Sequence, residues 1–241
     1  MHLLIVSLLS SCLLGDPGDL APLFRAQEPA AAEDPDQPAW RPEQASEVLL
    51  MVKGFYDGAQ DLEAKFEQRY WNPTFNEKRT SKGKLQAKKP GKMVWDQRDE
   101  QDADYYTDGD TLWMVEHDTR QVIKTDVSGK SEINAAVQLL FGGEKLLREY
   151  DVDYAGPERA KRYGDAEHYV LELRPKTKKQ HFKGVALIVH ASTGRVDGMI
   201  VYNTDGSNNH YTFSKVRTNV GIADDHFEYR RPKNYVETVE E

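Results

Sequence analysis

Large apolar or aromatic residues alternate with charged or polar residues along the stretch from Ala64 to Val122. The runs read AKFEQRYW, GKLQAKKPGKMVWDQ and TDGDTLWMVEHDTRQV. In the first run, Phe66 and Tyr70 fall on one side of the chain and Glu67 falls on the other. A period of two residues is typical of a strand that has only one face in water. The pattern therefore predicts an antiparallel sheet with an aromatic, apolar face, which suits an apolar ligand better than catalysis.

Turn signals divide the chain into about ten or eleven predicted strands. They are Pro73, Pro90-Gly91, Asp108-Gly109 and Asp205-Gly206. The predicted strands span residues 61–72, 81–89, 92–98, 103–107, 111–117, 120–126, 168–175, 183–190, 195–203 and 209–219, and the HFEYRRP segment at 226–232 ends the sheet. The sequence has no βαβ alternation and no Rossmann or P-loop glycine pattern. These features predict an α+β, mainly β fold, in which one strongly curved antiparallel sheet has helices to cover one opening.

Two segments have the 3.6-residue period of amphipathic helices. The first runs from Pro42 to Ala59, and the second runs from about Glu132 to Tyr150 with a break at Gly142-Gly143. The apolar face of the first helix consists of Ala45, Val48, Leu49, Val52, Phe55 and Tyr56, and that of the second consists of Ile133, Ala136, Val137, Leu140 and Phe141. Each helix therefore has one face to bury against another element.

The N-terminal region predicts export from the cytoplasm. Residues 1–14 are interpreted as a signal peptide, although the usual basic start is missing. The Leu-Ser-Ser-Cys segment at 9–12 is similar to a bacterial lipoprotein processing box. In one interpretation it is such a box, so that the signal ends before Cys12 and Cys12 is lipidated. In the other interpretation, Cys12 is removed with the signal peptide. Residues 15–41 are rich in proline, alanine and acidic residues and predict a disordered linker, and residues 42–241 form the folded domain.

Composition narrows the classes of function. The formal net charge of −8 disfavours nucleic acid as the main partner, because phosphate binding needs positive surface. The mean hydropathy is −0.73, and no stretch approaches the roughly 18 apolar residues of a membrane span. The single cysteine excludes an intrachain disulfide.

The sequence contains few candidates for a metal-binding or catalytic site. The seven histidines form no metal-binding pattern, and the acidic QDADYYTDGD segment at 101–110 is interpreted as turn chemistry and not as a calcium loop. There is no GxSxG motif, and no spacing selects a pair of catalytic carboxylates. The sequence therefore predicts no metal, no cofactor and no enzymatic activity.

Two features of the sequence, a basic run and a set of aromatic residues, each have two interpretations. The basic run at 174–184 is either a solvated edge that resists aggregation or a docking patch for an acidic partner. The aromatic residues within the strand patterns either fill the core or line an open apolar cavity. They are Phe66, Tyr70, Trp95, Trp113, Tyr202, Tyr211 and Phe213.

An ordered series of short motifs is similar to that of the periplasmic outer-membrane lipoprotein carrier (LolA) family. The series consists of Phe66-x-Gln68, Gly83-x-Leu85, Lys89-Pro90, Met93-x-Trp95, Asp108-Gly109-x-x-Leu112-Trp113, Gln121-Val122, Asp205-Gly206, Phe213, Asn219, Phe227 and Pro232. The resemblance extends from the opening helix to Val236. It implies an unclosed antiparallel β-barrel with a helical lid over a hydrophobic cavity.

The resemblance also implies partners and site residues. Members of the family collect lipidated proteins from an inner-membrane ATP-driven transporter and carry them to an outer-membrane receptor of similar fold. A basic residue before the strand-2 proline, Lys89 here, would hold the lid shut when the cavity is empty. The expected cavity residues are Phe66, Tyr70, Leu85, Trp95, Trp113, Leu187, Ile200 and Phe213. The expected lid residues are Val52, Phe55, Ile133, Val137, Leu140 and Phe141.

The leading hypothesis is a monomeric periplasmic chaperone that transports lipoproteins by binding their acyl chains. The first alternative is an outer-membrane receptor, or a LolA-like lipoprotein, anchored through Cys12 and facing the periplasm. The second alternative is a lipid-sensing regulatory domain. Because the inward face of each strand is inferred from alternation, a slip of one residue would invert the list of cavity residues for that strand.

Overall fold

One sheet of twelve strands, antiparallel except for one pair, dominates the computed structural model, which describes residues 41–99, 103–126, 144–177 and 182–239. The strands are β1 (Asp61–Asn72), β2 (Glu77–Lys88), β3 (Lys92–Asp99), β4 (Ala103–Thr107), β5 (Thr111–Glu116), β6 (Gln121–Asp126), β7 (Tyr150–Tyr154), β8 (His168–Pro175), β9 (Phe182–His190), β10 (Val196–Asn203), β11 (Asn208–Thr218) and β12 (Val236–Val239). The helices are α1 (Ala45–Asp57), α2 (Glu144–Glu149) and α3 (Pro157–Tyr163), and residues Asp224–Phe227 form a 3-10 turn.

The sheet order is β12-β6-β5-β4-β3-β2-β1-β11-β10-β9-β8-β7. Most neighbouring strands in the sheet are also consecutive in the chain. Strand β1 joins the two halves of the sheet, because it pairs with β2 on one side and with β11 on the other. The sheet is unclosed, with β12 and β7 at its two ends. The predicted mainly β, unclosed antiparallel architecture is therefore confirmed, with one parallel pair between β12 and β6.

Two predicted turns are present for the expected physical reason. Gly109 has a φ of 110° and Gly206 has a φ of 92°, which glycine adopts without a steric penalty. The Asp108 carboxylate accepts hydrogen bonds from the backbone N–H groups of Asp110 and Thr111. Such side chain to backbone bonds favour a turn over a continuous strand.

Some predicted elements differ from the structure. The segment Tyr150–Tyr154 is a strand, because Tyr150, Val152 and Tyr154 alternate and pair with β8. The HFEYRRP segment does not end the sheet; its first residues belong to the 3-10 turn, and the last strand is β12. The helix α3 was not predicted. Of the helix predicted over 132–150, residues 132–143 lie outside the described residues.

The core lies between α1 and one face of the sheet, which we call the inner face. It contains Val48, Leu49 and Val52 of α1 together with alternate residues of the strands. The opposite side of the sheet is called the outer face. This division positions the candidate site, because the inner face carries most of the buried apolar side chains.

Candidate functional site: the inner face of the sheet

Four aromatic side chains form the centre of the inner face. The rings of Phe66 and Trp95 lie 4.4 Å apart, and the Trp95 ring lies 5.3 Å from Tyr211 and 6.4 Å from Phe213. Trp95 is only 1% exposed and Phe66 is 3% exposed. The surface that α1 faces is therefore strongly apolar and rich in aromatic rings, whose large area favours apolar contacts.

The close approach of Phe66 to β2 depends on Gly83. These two residues are directly opposite each other across the β1–β2 pair. A Cβ atom at position 83 would lie 2.6 Å from Cζ of Phe66 and 1.9 Å from the carbonyl oxygen of Asp96. Only glycine fits there, which gives a physical reason for the Gly83-x-Leu85 motif.

The structure brings together five of the eight residues that were predicted to line the cavity. Phe66, Leu85, Trp95, Leu187 and Phe213 all belong to the inner-face core. Tyr70 shares this face by alternation but lies closer to the β1–β2 turn. There it is half-buried, Arg79 lies over its ring at 4.8 Å, and its hydroxyl accepts a hydrogen bond from Asn72.

The expected positions of Trp113 and Ile200 are wrong, because both side chains belong to the outer face. Trp113 is opposite Tyr106, and its ring stacks on Tyr229 at 5.1 Å. Ile200 is 1% exposed, yet its partners across the sheet are Ala186 and His210, whereas Met199 points inward. Each strand is apolar on both faces here, so alternation alone did not identify the inward face.

Several inner-face residues were missed by the sequence interpretation. They are Leu62, Met199, Val201, Tyr169, Leu171, Leu173, Val185, Tyr150 and Phe182, all buried in the same core. The signal that could have found them is their register with residues already chosen, because Met199 is directly opposite both Leu187 and Tyr211. That register is a property of the assembled sheet.

The inner face becomes polar beyond the aromatic cluster. Gln68 is 8% exposed and donates a hydrogen bond of 2.6 Å from Nε2 to Oδ1 of Asn209, itself 3% exposed. The Oε1 atom of Gln68 is buried and has no hydrogen-bond partner among the described residues. A buried acceptor without a donor is energetically unfavourable, so this end of the face can accept a hydrogen bond from a bound molecule. The face as a whole is amphiphilic.

The helix α1 covers part of the inner face. Val48, Val52 and Tyr56 of the helix are buried, and Phe55 is partly buried against the same core, with its ring 5.0 Å from that of Tyr56. The Tyr56 hydroxyl accepts a hydrogen bond of 3.3 Å from the Val196 N–H, and burial raises the pKa of Tyr56. The other predicted lid residues, Ile133, Val137, Leu140 and Phe141, lie outside the described residues.

Lys89 contacts the C-terminal end of α1. Its ammonium group donates hydrogen bonds of 3.0 Å and 2.9 Å to the carbonyl oxygens of Tyr56 and Asp57. The last carbonyls of a helix have no partners within the helix and carry partial negative charge, so a cation there is stabilising. This is the kind of contact that the family resemblance implies for Lys89, and the function of the contact as a latch remains a proposal.

Residues that follow β11 also bind the connection between α1 and β1. The buried carboxylate of Asp61 accepts backbone N–H bonds from Val220, Gly221 and Ile222 at 2.6–2.9 Å. The side chain of Asn219 accepts from the Gln60 N–H. The end of α1 is thus positioned by both neighbours of β1 in the sheet.

A charged cluster lies on the outer face, away from the aromatic cluster. His168 is bonded to Asp165 at 2.7 Å and to Asp197 at 3.2 Å, and Arg195 binds Asp197 through two nitrogens. Burial opposes the protonated imidazole, but the two carboxylates outweigh it and raise the pKa of His168. The pKa of Asp197 is lowered, because its bonds to Arg195 and His168 outweigh its own burial.

Among the described residues, no group of three or more histidine, cysteine or acidic side chains is arranged to hold a metal ion. Within the same ranges, no helix has the length and apolar character needed to cross a bilayer. Cys12 lies outside the described residues.

Fold and inner face together define a protein built on one unclosed sheet, whose apolar face packs against an amphipathic helix. The sequence profile of the family described as "Outer membrane lipoprotein carrier protein LolA" matches residues 57–230. The chain therefore belongs to the LolA family.

Individual relatives agree with this assignment. The chain is 27% identical over 192 residues to an outer-membrane lipoprotein carrier protein of Chromobacterium violaceum, covering 80% of this chain and 87% of the relative. It is 27% identical over 214 residues to the protein of the same description in Cupriavidus necator, covering 88% and 90%. A crystal structure of an uncharacterized conserved protein from Thermus thermophilus has a TM-score of 0.51 at 11% identity, covering 81% of this chain and 99% of that one. This last likeness concerns the fold alone.

Proposed function

We propose that this protein is a periplasmic carrier that binds the acyl chains of lipoproteins and takes them from the inner to the outer membrane. The observation that carries the proposal is the aromatic inner face around Trp95, which packs against an amphipathic helix whose C-terminal end is bonded to Lys89. Family membership and relatives described as lipoprotein carriers support the same conclusion.

The physical requirement for a carrier is large. Burial of a methylene group is worth about 0.8 kcal/mol, so leaving a ~16-carbon chain in water costs roughly 12 kcal/mol. Acyl chains therefore need an apolar surface throughout their transfer. The same surface must be covered when empty, because an exposed patch of this kind promotes aggregation. Displacement of α1 and of the predicted lid would expose the aromatic cluster to an incoming chain.

The polar end of the inner face suits the other part of the cargo. A lipidated N-terminus has amide and ester groups next to its alkyl chains. The buried, unpaired Oε1 atom of Gln68 can accept a hydrogen bond from an amide N–H of that region. The alkyl chains would then lie along Phe66, Trp95 and Phe213. No bond is made or broken in this process, so the proposal is a binding protein and not an enzyme.

The proposed partners follow from the route of the cargo. An inner-membrane ATP-driven transporter would supply lipoproteins, and an outer-membrane receptor of similar fold would accept them. Loading requires the helical cover to open and delivery requires the acyl chains to leave, so the cover must be held by contacts that are individually weak. The two hydrogen bonds of Lys89 are contacts of this kind.

Copurification tests the proposal. The tagged full-length chain is isolated from periplasm without detergent, and bound proteins are analysed by mass spectrometry for acylated N-terminal cysteine. Lipidated proteins are expected with the wild-type chain and not with Trp95→Asp, which places a charge in the aromatic cluster. Equal recovery of lipidated proteins with both chains would contradict acyl-chain binding at the inner face. Circular dichroism checks that the variant is folded, because only a folded variant tests the proposal.

The anchored alternative has its own test at the mature N-terminus. Mass spectrometry that finds a triacylated Cys12 would favour a tethered receptor or a LolA-like lipoprotein. A mature chain that begins after Cys12 would favour the soluble carrier. A lipid-sensing domain would instead bind acyl chains without passing them to an acceptor, so transfer of a labelled lipoprotein to outer-membrane vesicles separates it from a carrier.

A further inference from the structure

The outer face carries a groove of about 760 Å³ over the strands β1, β2, β3 and β11. Its charged side chains alternate with the inner-face residues and so point to the opposite side of the sheet from the aromatic cluster, although Phe66 and Gly83 also border the groove. Its basic residues are Lys65, Arg69, Lys82, Lys84 and Arg98, whereas its acidic residues are Glu67 and Asp96. The groove is therefore locally positive in a chain whose net charge is −8.

Like charges are directly opposite each other in this groove. Lys65 of β1 is opposite Lys84 of β2, and Lys82 of β2 is opposite Arg98 of β3. Directly opposed like charges destabilise a sheet. Lys82 is also opposite Glu67, and Lys84 is also opposite Asp96, but these two carboxylates form ion pairs with Arg69 and Arg98. Lys82 and Lys84 lie two residues apart on one strand, which places both side chains on the same face.

Within the described ranges, the arginines of the groove have ionic partners and its lysines have none. Arg69 is bonded to Glu67 at 2.8 Å, and Arg98 is bonded to Asp96 at 3.1 Å and to Asp104 at 2.9 Å. The exposed side chains of Lys65, Lys82 and Lys84, in contrast, form no ion pair or hydrogen bond within the part of the chain that the structure describes. Three adjacent ammonium groups thus remain for carboxylates from another molecule.

We infer that this groove docks an extended segment of a partner protein that carries acidic side chains at alternate positions. Alternate residues of an extended peptide are about 6.6 Å apart, which is also the separation of alternate residues such as Lys82 and Lys84 on a strand. One carboxylate would lie between Lys65 and Lys84, and the next would lie beside Lys82. The exposed hydroxyls of Thr212 and Ser214 border the groove and can bond to the backbone of the segment.

The charge distribution favours a peptide over an anionic membrane. Charges more than about 8 Å apart are largely screened at physiological salt, so a short segment interacts mainly with the groove itself. An anionic membrane surface would extend beyond the groove, and it would be repelled by a protein whose net charge is −8. The carboxylates of Glu67 and Asp96 within the groove would also oppose a continuous anionic surface.

The test uses the full mature chain and a fluorescein-labelled peptide of alternating glutamate and serine, measured by fluorescence anisotropy. The triple variant Lys65→Gln, Lys82→Gln, Lys84→Gln is expected to bind at least about tenfold more weakly than wild type, as the loss of three exposed ion pairs implies. The matched control Lys161→Gln, Lys183→Gln, Lys233→Gln removes the same charge from exposed positions outside the groove and is expected to bind like wild type. A peptide with glutamine for glutamate is expected not to bind.

Three results would overturn the inference. The first is no binding by wild type at low salt, and the second is equal loss of binding in the groove variant and the control. The third is tighter binding of phosphatidylglycerol vesicles than of the peptide, with loss of vesicle binding in the groove variant, because this would assign the groove to lipid headgroups. Thermal unfolding of both variants establishes that they are folded. Since no lipoprotein is used, failure here leaves the carrier proposal untouched.

Discussion

The ammonium group of Lys89 lies 3.0 Å from the carbonyl oxygen of Tyr56, at the end of the helix that covers the inner face. Tyr56 is held at its other end as well, because its hydroxyl accepts the Val196 N–H. The end of α1 is therefore bonded both to the residue that follows β2 and to β10. Lys89 is the more accessible of the two attachments, since its amine is only partly buried.

Lys89→Leu is expected to weaken the attachment of α1 and to alter the release of bound lipoprotein. Two helix carbonyls lose a charged donor, and a favourable cation at a helix end is typically worth about 0.3–1 kcal/mol. Transfer of a labelled lipoprotein to receptor-bearing vesicles measures the effect. Lys89→Arg is the control, because a guanidinium keeps the charge and offers more donors. Unchanged transfer by Lys89→Leu would count against a latch at this position.

Trp95→Ala and Trp113→Ala are expected to differ, because the two tryptophans lie on opposite faces of the sheet. Trp95 is fully buried, and truncation of such a residue typically costs about 3–5 kcal/mol. Urea unfolding and binding of a fluorescent fatty-acid probe are measured for both variants. Trp95→Ala should lose stability and change probe affinity, whereas Trp113→Ala should lose less stability and keep wild-type affinity. A change in affinity for Trp113→Ala alone would place the ligand on the outer face.

Phe141→Glu is expected to impair lipoprotein retention if Phe141 belongs to the lid. A carboxylate would then face an apolar ligand without a partner, which is strongly unfavourable. Phe75→Glu is the matched control, because Phe75 is 76% exposed at the β1–β2 turn. The measurement is the amount of lipoprotein that stays bound through gel filtration. Normal retention by Phe141→Glu would remove this residue from the lid.

The His168 cluster predicts a specific dependence of stability on pH. The pKa of His168 is raised in the folded protein, so its contribution is fully present below its ordinary value of 6.5 and is lost as the pH rises through the raised pKa. The pKa values of Asp165 and Asp197 are lowered, so their contributions are present above their ordinary value of 3.8 and are lost as the pH falls through the lowered values.

The measurement compares urea unfolding of wild type and His168→Gln between about pH 6 and pH 9. Wild type should lose part of its stability advantage over the variant as the pH rises. His210, whose pKa burial lowers, is present in both proteins and cancels in the difference. A stability difference that stays constant over this range would contradict the assigned role of His168.

The local pattern predicted most strand positions, because the period of two and the turn residues are written into adjacent positions. The bounds of β1 and β4 are those expected, and Asp108-Gly109 forms the expected turn. The position of Lys89 before Pro90 likewise indicated a contact with helix backbone, through resemblance and not through periodicity. In contrast, the strand Tyr150–Tyr154 was not predicted, and Tyr150 was placed at the end of a helix, because a strand this short gains its stability from pairing with β8.

The sequence by itself determined that this chain folds as a mainly β protein with amphipathic helices, because alternation and turn chemistry are local properties. Only the tertiary structure decided that Trp95 joins Phe66 on the inner face while Trp113 stacks on Tyr229 outside. It also placed Lys65 directly opposite Lys84, and it placed the Lys89 amine within hydrogen-bond distance of the Tyr56 carbonyl oxygen. These relationships depend on strand register and on contacts between distant segments. Where both faces of a strand are apolar or charged, the sequence does not indicate which face points inward.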